Sequence, residues 1–498
     1  MNEVRSSARR VVVIGGGVSG LAAAHRLAEL NAREASARGD DFSRVEVLLL
    51  EASGRLGGTV RTERRGGFLL EGGPDSFISE KPAALELARR VGLAERLIGT
   101  NDEHRRSFVA RGGRLLPTPE GFQLLAPSRL RPFVTSGIFT WRGKARMALD
   151  LLLPRRAAAH DLEGDVEDES LAAFVRRRFG QEALERMAQP MVGGIYTADP
   201  EHLSLRATMP RFIEMERRHR SLILAMWKAA RRARAEGRAP ETGTSGARYG
   251  LFLSFDEGMQ VLTDTLAARL EGAGGVAVRL NTRAEAVVRP HDSNEWLIET
   301  AGGERLRADG VCVALPAYAA ARLLRGVDGA LAEELGAIPY ASTATVNLAY
   351  RREQIPHPLD GFGFVVPFVE RRAALACTFS SVKFAGRAPE GFALLRAFVG
   401  GALQPETFDL DEASMVAAVR RDLRDLVGVA APPVFAHVEK WPRSMAQYTI
   451  GHIRRVSRIN ARLPTAPALA LAGNAYDGAG VPDCVRSGET AAEFLFSG

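Results

Sequence analysis

With 498 residues, 46% of them hydrophobic and 25% charged, the chain is long enough for two or three packed units and too ordinary in composition for a disordered or fibrous protein. A formal charge of +7 is mild at this length and suits an anionic cofactor and substrate without marking a nucleic-acid binder. Three scattered cysteines, Cys312, Cys377 and Cys484, argue against a disulfide framework or zinc site and fit a reducing cytoplasm.

The chain opens with a charged stretch and an apolar run, like a secretory signal. The run carries four glycines, however, and a strand-turn-helix accounts for each of them. Nowhere do 18 consecutive apolar residues occur, so no membrane-spanning helix is expected. Val11 to Ile14 reads as a strand buried on both faces. Gly15, Gly17 and Gly20 then form G-x-G-x-x-G, with Gly16, Val18 and Ser19 on the same turn, and Leu21 to Leu27 continues as helix. Gly15 allows the tight turn, Gly17 lets backbone approach a pyrophosphate, and Gly20 lets helix and strand pack closely; the phosphates sit on the helix N-terminus.

Val45 to Leu50 is the second strand. It ends in Glu51 and Ala52, where a carboxylate can accept the ribose hydroxyls of an adenosine. Glu51 lies 31 residues after Gly20, longer than the usual ~20, and the polar stretch from Asn31 to Arg44 is read as an extended crossover. A second glycine cluster follows in Arg55, Gly57, Gly58 and Thr59. Then comes EGGPDS, with Gly73, Pro74, Asp75 and Ser76. NAD needs no further close backbone approach so soon, whereas the ribityl chain and isoalloxazine of FAD do.

Further along, two basic stretches stand out. Arg129–His160 holds seven Lys or Arg against one acid, Asp150, and Arg217–Arg238 holds eight against Glu236. Each suits a solvated helix face over a core, or contact with an anionic membrane surface. Arg238 to Gly250 reads as an exposed loop. Residues 321–441 turn strand-rich and suggest an antiparallel sheet forming a substrate chamber. Near the C-terminus, Ala468–Ala472 is an apolar strand before a glycine-rich loop. Ala479, Gly480 and Val481 there lead into a helix expected to start near Pro482, whose free N–H groups can stabilise an electron-rich flavin ring.

The pattern R-x-G-G-x-x-x-T, Arg55 to Thr62, resembles that of the flavin amine oxidase superfamily. More closely, GGGVSGLAAA, EGGPDSF, GGIYTADPEHLSL, HRSLIL, QYTIGH and AYDGAGVPDCVRSG resemble the oxygen-dependent porphyrinogen oxidases of haem synthesis over nearly the whole chain. The long crossover, the segment Thr135–Pro154 and Lys81 look like the Bacillus-type coproporphyrinogen III oxidase; protoporphyrinogen IX oxidation is the alternative, and an amine or polyamine oxidase a more distant one. The resemblance implies an α/β protein, α+β overall. A Rossmann-like FAD-binding domain (1–90, 251–320 and 442–498) would accompany a helical domain (111–204), membrane-facing in one reading. A substrate-binding domain (91–110, 205–250 and 321–441) would carry the antiparallel sheet.

It further implies non-covalent FAD with backbone contact at Ala284, Cys484 being a packed thiol, and oxygen as electron acceptor. Six hydrogens leave the macrocycle in three cycles, with three peroxides released. No side chain is assigned as catalytic acid or base, because the cofactor carries the chemistry. Phe362, Val365 and Phe398 are implied as apolar walls, Gly194 as room beneath the bridge carbon, and Arg106 (or its neighbour Arg105) and Lys81 as propionate partners. The implied setting is a cytoplasmic monomer or homodimer, with peripheral contact at the inner membrane face and a haem-pathway enzyme as compatible partners.

Overall fold

The structure is a computed structural model describing residues 9–38, 45–123, 126–155, 168–235, 252–291 and 293–497. The loop expected at Arg238–Gly250 lies outside the described residues, as do the ends of both basic stretches.

Arg9–Ile14 runs up the middle of a five-stranded parallel sheet. The order is Val276–Arg279, Val45–Leu50, Arg9–Ile14, Gly310–Val313 and Ala468–Leu471, so distant stretches of chain share one layer. Val11–Ile14, Val47–Leu50 and Gly310–Val313 are apolar and buried because both faces are covered there, whereas the edge strand Val276–Arg279 is partly exposed. Val11 and Val13 pack with residues of the helices Val18–Arg38 and Val481–Ser497, while Val12 and Ile14 pack with Trp296 and Ile298 of a small antiparallel meander. The two helices touch closely: a Cβ on Gly488 would lie 2.1 Å from the Ser19 carbonyl oxygen.

The helix Val18–Arg38 outlasts the apolar pattern at Leu27. Buried Asn31 explains its docking. Its amide donates to the Val45 carbonyl at 2.7 Å and its oxygen accepts the Val45 N–H at 3.0 Å, tying helix to second strand. The long spacing before Glu51 is therefore largely extra helix, and the topology is unchanged.

The second layer is a seven-stranded sheet in the order Phe435–Ala446, Tyr340–Arg351, Phe392–Gly400, Ala376–Phe379, Gly363–Val365, Phe108–Arg111, Arg114–Pro117. All pairs are antiparallel except Gly363–Val365 with Phe108–Arg111. The helix Glu412–Val427 covers one face, burying Met415, Val419 and Leu423 against Val346, Leu348 and Leu395.

Three boundaries differ from expectation. Residues 111–117, expected in the helical unit, complete a hairpin of the large sheet; Phe435–Ala446 runs unbroken across the division expected at 442; and residues 205–235 pack with the helical unit rather than the sheet. The last difference has a specific cause. Arg178, wholly buried, donates to Asp150 at 2.7 Å and to the Arg220 carbonyl, while Ser221 Oγ and the Ile223 N–H bond the other Asp150 oxygen at 2.6 and 3.1 Å. The HRSLIL segment is thus a core anchor for a buried ion pair, which one partner alone would destabilise.

Candidate functional site

The first glycine loop closes as its residue types require. A Cβ on Gly20 would fall 1.8 Å from the Gly15 carbonyl oxygen, and one on Gly15, at φ +112°, would lie 2.4 Å from the Ala314 oxygen. At Gly17, by contrast, only the Gly58 Cα comes within 4.0 Å, leaving that side of the turn open. The helix that follows has no acid in its first turn, so its positive end is uncompensated by its own side chains. Glu51 sits beside the turn: one carboxylate oxygen accepts the Gly16 N–H at 2.7 Å and the other the Ser53 N–H at 2.8 Å. Thr282 donates its N–H to the Glu51 carbonyl, which brings Ala284, two residues on, to the same edge. Ala52 is exposed beside it.

The second loop lies against the first. Gly57 N–H bonds the Gly16 carbonyl at 2.8 Å, and Gly17 and Gly57 form a bridge. Arg55 turns its guanidinium inward, donating to the carbonyls of Leu56, Gly58 and Val60, so its charge organises the loop. Thr59 then meets Gly73, whose Cβ would fall 1.8 Å from the Thr59 carbonyl oxygen.

The EGGPDS segment is gripped by one face of the large sheet. Thr345 Oγ1 (3.1 Å) and Trp441 Nε1 (2.9 Å) donate to the Gly72 carbonyl, and Arg396 donates to that of Gly73. Lys383 Nζ reaches both Asp75 oxygens at 3.0 and 2.9 Å and Ser76 Oγ at 3.2 Å. Burial opposes ionisation of Asp75, but Lys383 and Arg396 outweigh it and hold the carboxyl well below the usual carboxylate range. Glu71 behaves oppositely. Only 3% exposed, it is pushed up to about 7 by burial, even though Met259 N–H and Thr62 Oγ1 donate to it. Lys383 and Arg396 carried no signal in the glycine motifs. An arginine inside the apolar run LLRAFVG, which must find a buried partner, was the available clue.

The C-terminal loop completes the ring. Tyr448 of QYTIGH donates its hydroxyl to the Asn474 carbonyl and accepts the Gly478 N–H, both at 2.8 Å, and stacks on His452 at 4.2 Å. The Asn474 amide donates to the Ser444 carbonyl. Asp483, in the first turn of Val481–Ser497, accepts the Gly480 N–H and pairs with Lys81 at 2.6 Å. The Lys81 ammonium thus lies beside Ala479–Val481, its side chain still half exposed. Burial pushes the Cys484 thiol up to about 11, so it stays protonated at neutral pH.

Opposed pairs place Val365, Ala376, Phe398 and Thr345 in one row of the sheet, on the face that grips EGGPDS. Val365 and Phe398 are half-buried there, whereas Phe362 is only 3% exposed and offers little wall. Gly194, on the helix Gln189–Tyr196, is exposed with open space where a side chain would stand. Two residues on, the Tyr196 carbonyl accepts a hydrogen bond from Gln447 Nε2 at 3.2 Å, which ties this helix end to the QYTIGH segment; burial and the Asp483 carboxylate push its phenol up to about 12. Arg105 and Arg106 instead line a cleft of about 810 Å³ with His104, Arg131 and Thr118. Arg106 is already held by the Asp360 carboxylate and carbonyl, and Arg105 by Asp102.

The flavin containing amine oxidoreductase family matches residues 18–495, and the protein belongs to that family; it is a flavin-dependent oxidoreductase. Within the family the chain is similar to two proteins named coproporphyrinogen III oxidase. That of Propionibacterium freudenreichii subsp. freudenreichii is 36% identical over 504 residues, covering 97% of this chain and 90% of the relative. That of Bacillus subtilis (strain 168) is 33% identical over 500 residues, covering 98% and 99%. A solved structure from Exiguobacterium sp. 255-15, provisionally assigned as a protoporphyrinogen oxidase, matches at TM-score 0.81 and 31% identity over 98% of this chain and 99% of that one. No helix among the described residues is long and apolar enough to cross a membrane.

Proposed function

We propose that the protein oxidises coproporphyrinogen III to coproporphyrin III with non-covalently bound FAD and dioxygen. The observation that carries this reading is the meeting of two glycine loops with a sheet face that sets Val365 and Phe398 over the EGGPDS segment. Its support from relatives is the near full-length similarity to two proteins named for that reaction.

The chain fits FAD on its own geometry. Gly17 leaves an open approach at a helix N-terminus free of acids, and Gly73 would lose its contact with Thr59 if it bore a side chain. Gly15, Gly16, Gly17, Val18, Ser19 and Gly20 would take the pyrophosphate. Glu51, Ala52 and Ala284 would hold the adenosine end; Arg55, Gly57, Gly58 and Thr59 would line the ribityl path. Gly73–Ser76 and Ala479–Val481 would hold the ring. The high thiol pKa of Cys484 supports non-covalent binding. When bound, a flavin supplies the two-electron chemistry, taking six hydrogens from the macrocycle in three cycles while three dioxygen molecules become three peroxides.

The chain's own task is to orient and exclude. Val365 and Phe398 offer flat apolar contact to the macrocycle, and Gly194 leaves room for close approach. Arg106 is the propionate partner we favour over Arg105; a propionate there shares the guanidinium with Asp360, which leaves part of its donor fork available. Lys81 shares its ammonium between Asp483 and substrate in the same way. Exposed Leu130, Trp141, Leu149 and Leu152 lie in a basic stretch whose sole acid, Asp150, is buried, which supports peripheral contact with an anionic inner membrane face.

The test mixes purified protein with coproporphyrinogen III or protoporphyrinogen IX in air and follows porphyrin fluorescence with peroxide. Faster turnover of the four-propionate substrate with three peroxides per porphyrin is expected. Preference for the two-propionate substrate would reverse the choice, and bound flavin with no turnover of either would refute the reading.

A further inference from the structure

Around Asp75, within Gly73–Ser76, lies a set of buried cations to which the proposed reaction gives no role. Lys383 contacts both oxygens of Asp75, and Arg396, 3% exposed, lies 3.8 Å from the same carboxylate. Arg396 also covers the Phe398 ring at 4.7 Å, and its Nε finds no acceptor among the described residues. Arg387, 2% exposed, donates to Ser254 Oγ and to the carbonyls of Phe255 and Asp256. Three cations thus face one firmly ionised carboxylate, Asp75, and one, Glu71, that burial holds partly protonated at neutral pH.

Such a surplus is costly in a low-dielectric interior, and here it is met by loop carbonyls, a hydroxyl and an aromatic face rather than by matching acids. A fixed surplus of positive charge attracts any neighbour that becomes more negative, without reorganising when it does so. A flavin gains negative charge on reduction.

We infer that Lys383, Asp75 and Arg396 act as positioning residues that set the electron affinity of the flavin on this loop, their surplus positive charge favouring its reduced form. The inference rests on the flavin seat proposed above. It assigns Lys383 and Asp75 opposite effects, although the two side chains share one contact. A purely structural role would make loss of either equivalent.

The experiment measures, on purified holoenzyme, the flavin midpoint potential by dye equilibration and the dissociation constant for sulfite. Sulfite adds its electron pair to oxidised flavin and leaves negative charge on the ring. Lys383→Met is expected to shift the potential negative and weaken sulfite binding about tenfold, the order expected for one unit charge acting through a protein interior. Lys383→Arg, which keeps the charge, holds both values near wild type, and Asp75→Asn moves both in the opposite direction. Lys383→Gln substitutes if the methionine variant does not fold. Shifts of the same sign in the two neutralised variants, or no shift while flavin stays bound, overturn the inference. Wild-type protein that neither carries nor takes up flavin refutes the seat itself, a distinct outcome visible in the absorbance spectrum before any variant is made.

Discussion

The two sides of the candidate site are held by opposite means. On the nucleotide side close backbone contacts set the shape, tied off by Glu51 and Arg55: Gly57 N–H on Gly16, Gly20 against Gly15 and Gly73 against Thr59 leave no space for further side chains. On the chamber side, long side chains from the seven-stranded sheet reach across and grip carbonyls, as Thr345, Trp441 and Arg396 grip Gly72 and Gly73. Backbone contacts tolerate almost no substitution but are blind to charge. Side-chain contacts tolerate reshaping and are where charge and specificity can be set.

The sharpest way to break this contrast is Gly20→Ala. The added carbon would overlap the Gly15 carbonyl. We expect a loss of about 3 kcal/mol or more in stability and a fall in flavin bound per chain, read by thermal unfolding and visible absorbance. Wild-type unfolding with full flavin would show that close backbone contact does not build this side.

On the other side the expected response is to pH. In the unfolded chain Glu71 ionises near 4.5, and in the folded protein near about 7. Between those values the folded state keeps a proton that the unfolded chain has lost. The stability it contributes is therefore full below about 4.5 and declines as pH rises to about 7, by roughly 3 kcal/mol in all. Relative to Glu71→Gln, the wild type should lose melting temperature across this window; parallel curves would contradict the burial argument.

A smaller effect belongs to the cleft. Arg106→Ala should raise KM for the porphyrinogen by about 1–3 kcal/mol, with flavin content unchanged, and steady-state kinetics with a flavin titration would separate the two. Equal KM values would remove Arg106 from substrate binding and turn attention to Arg105. The smallest effect is expected at Cys484: acid denaturation should release all flavin from both wild type and Cys484→Ser, since the thiol stays protonated. Flavin retained on the wild-type chain would reverse that reading.

Much of the nucleotide side was legible because its constraints are local. Val11–Ile14, the three spaced glycines and the strand ending at Glu51 lie close together along the chain, and each residue type has one physical reason to be there. Spacing marks Glu51 as a ribose acceptor but not that its oxygens also accept the Gly16 N–H of the turn and the Ser53 N–H just beyond its own strand. How 205–235 packs is not legible locally, because its anchor, Asp150 with Arg178, lies far back in the chain. Lys81 showed a cation near EGGPDS but not its partner, Asp483, 402 residues away.

The sequence by itself determined the nucleotide turn, the two strands that flank it and the porphyrinogen oxidase resemblance, since periodicity and glycine spacing record local backbone demands. Only the tertiary structure decided which buried charges meet, that Lys383 and Arg396 converge on Asp75, that Tyr448 ties Asn474 to Gly478 and that Arg106 faces Asp360. The physical reason is that a charge or hydroxyl in an apolar run announces that it needs a partner, while the partner's identity depends on how distant strands come into register.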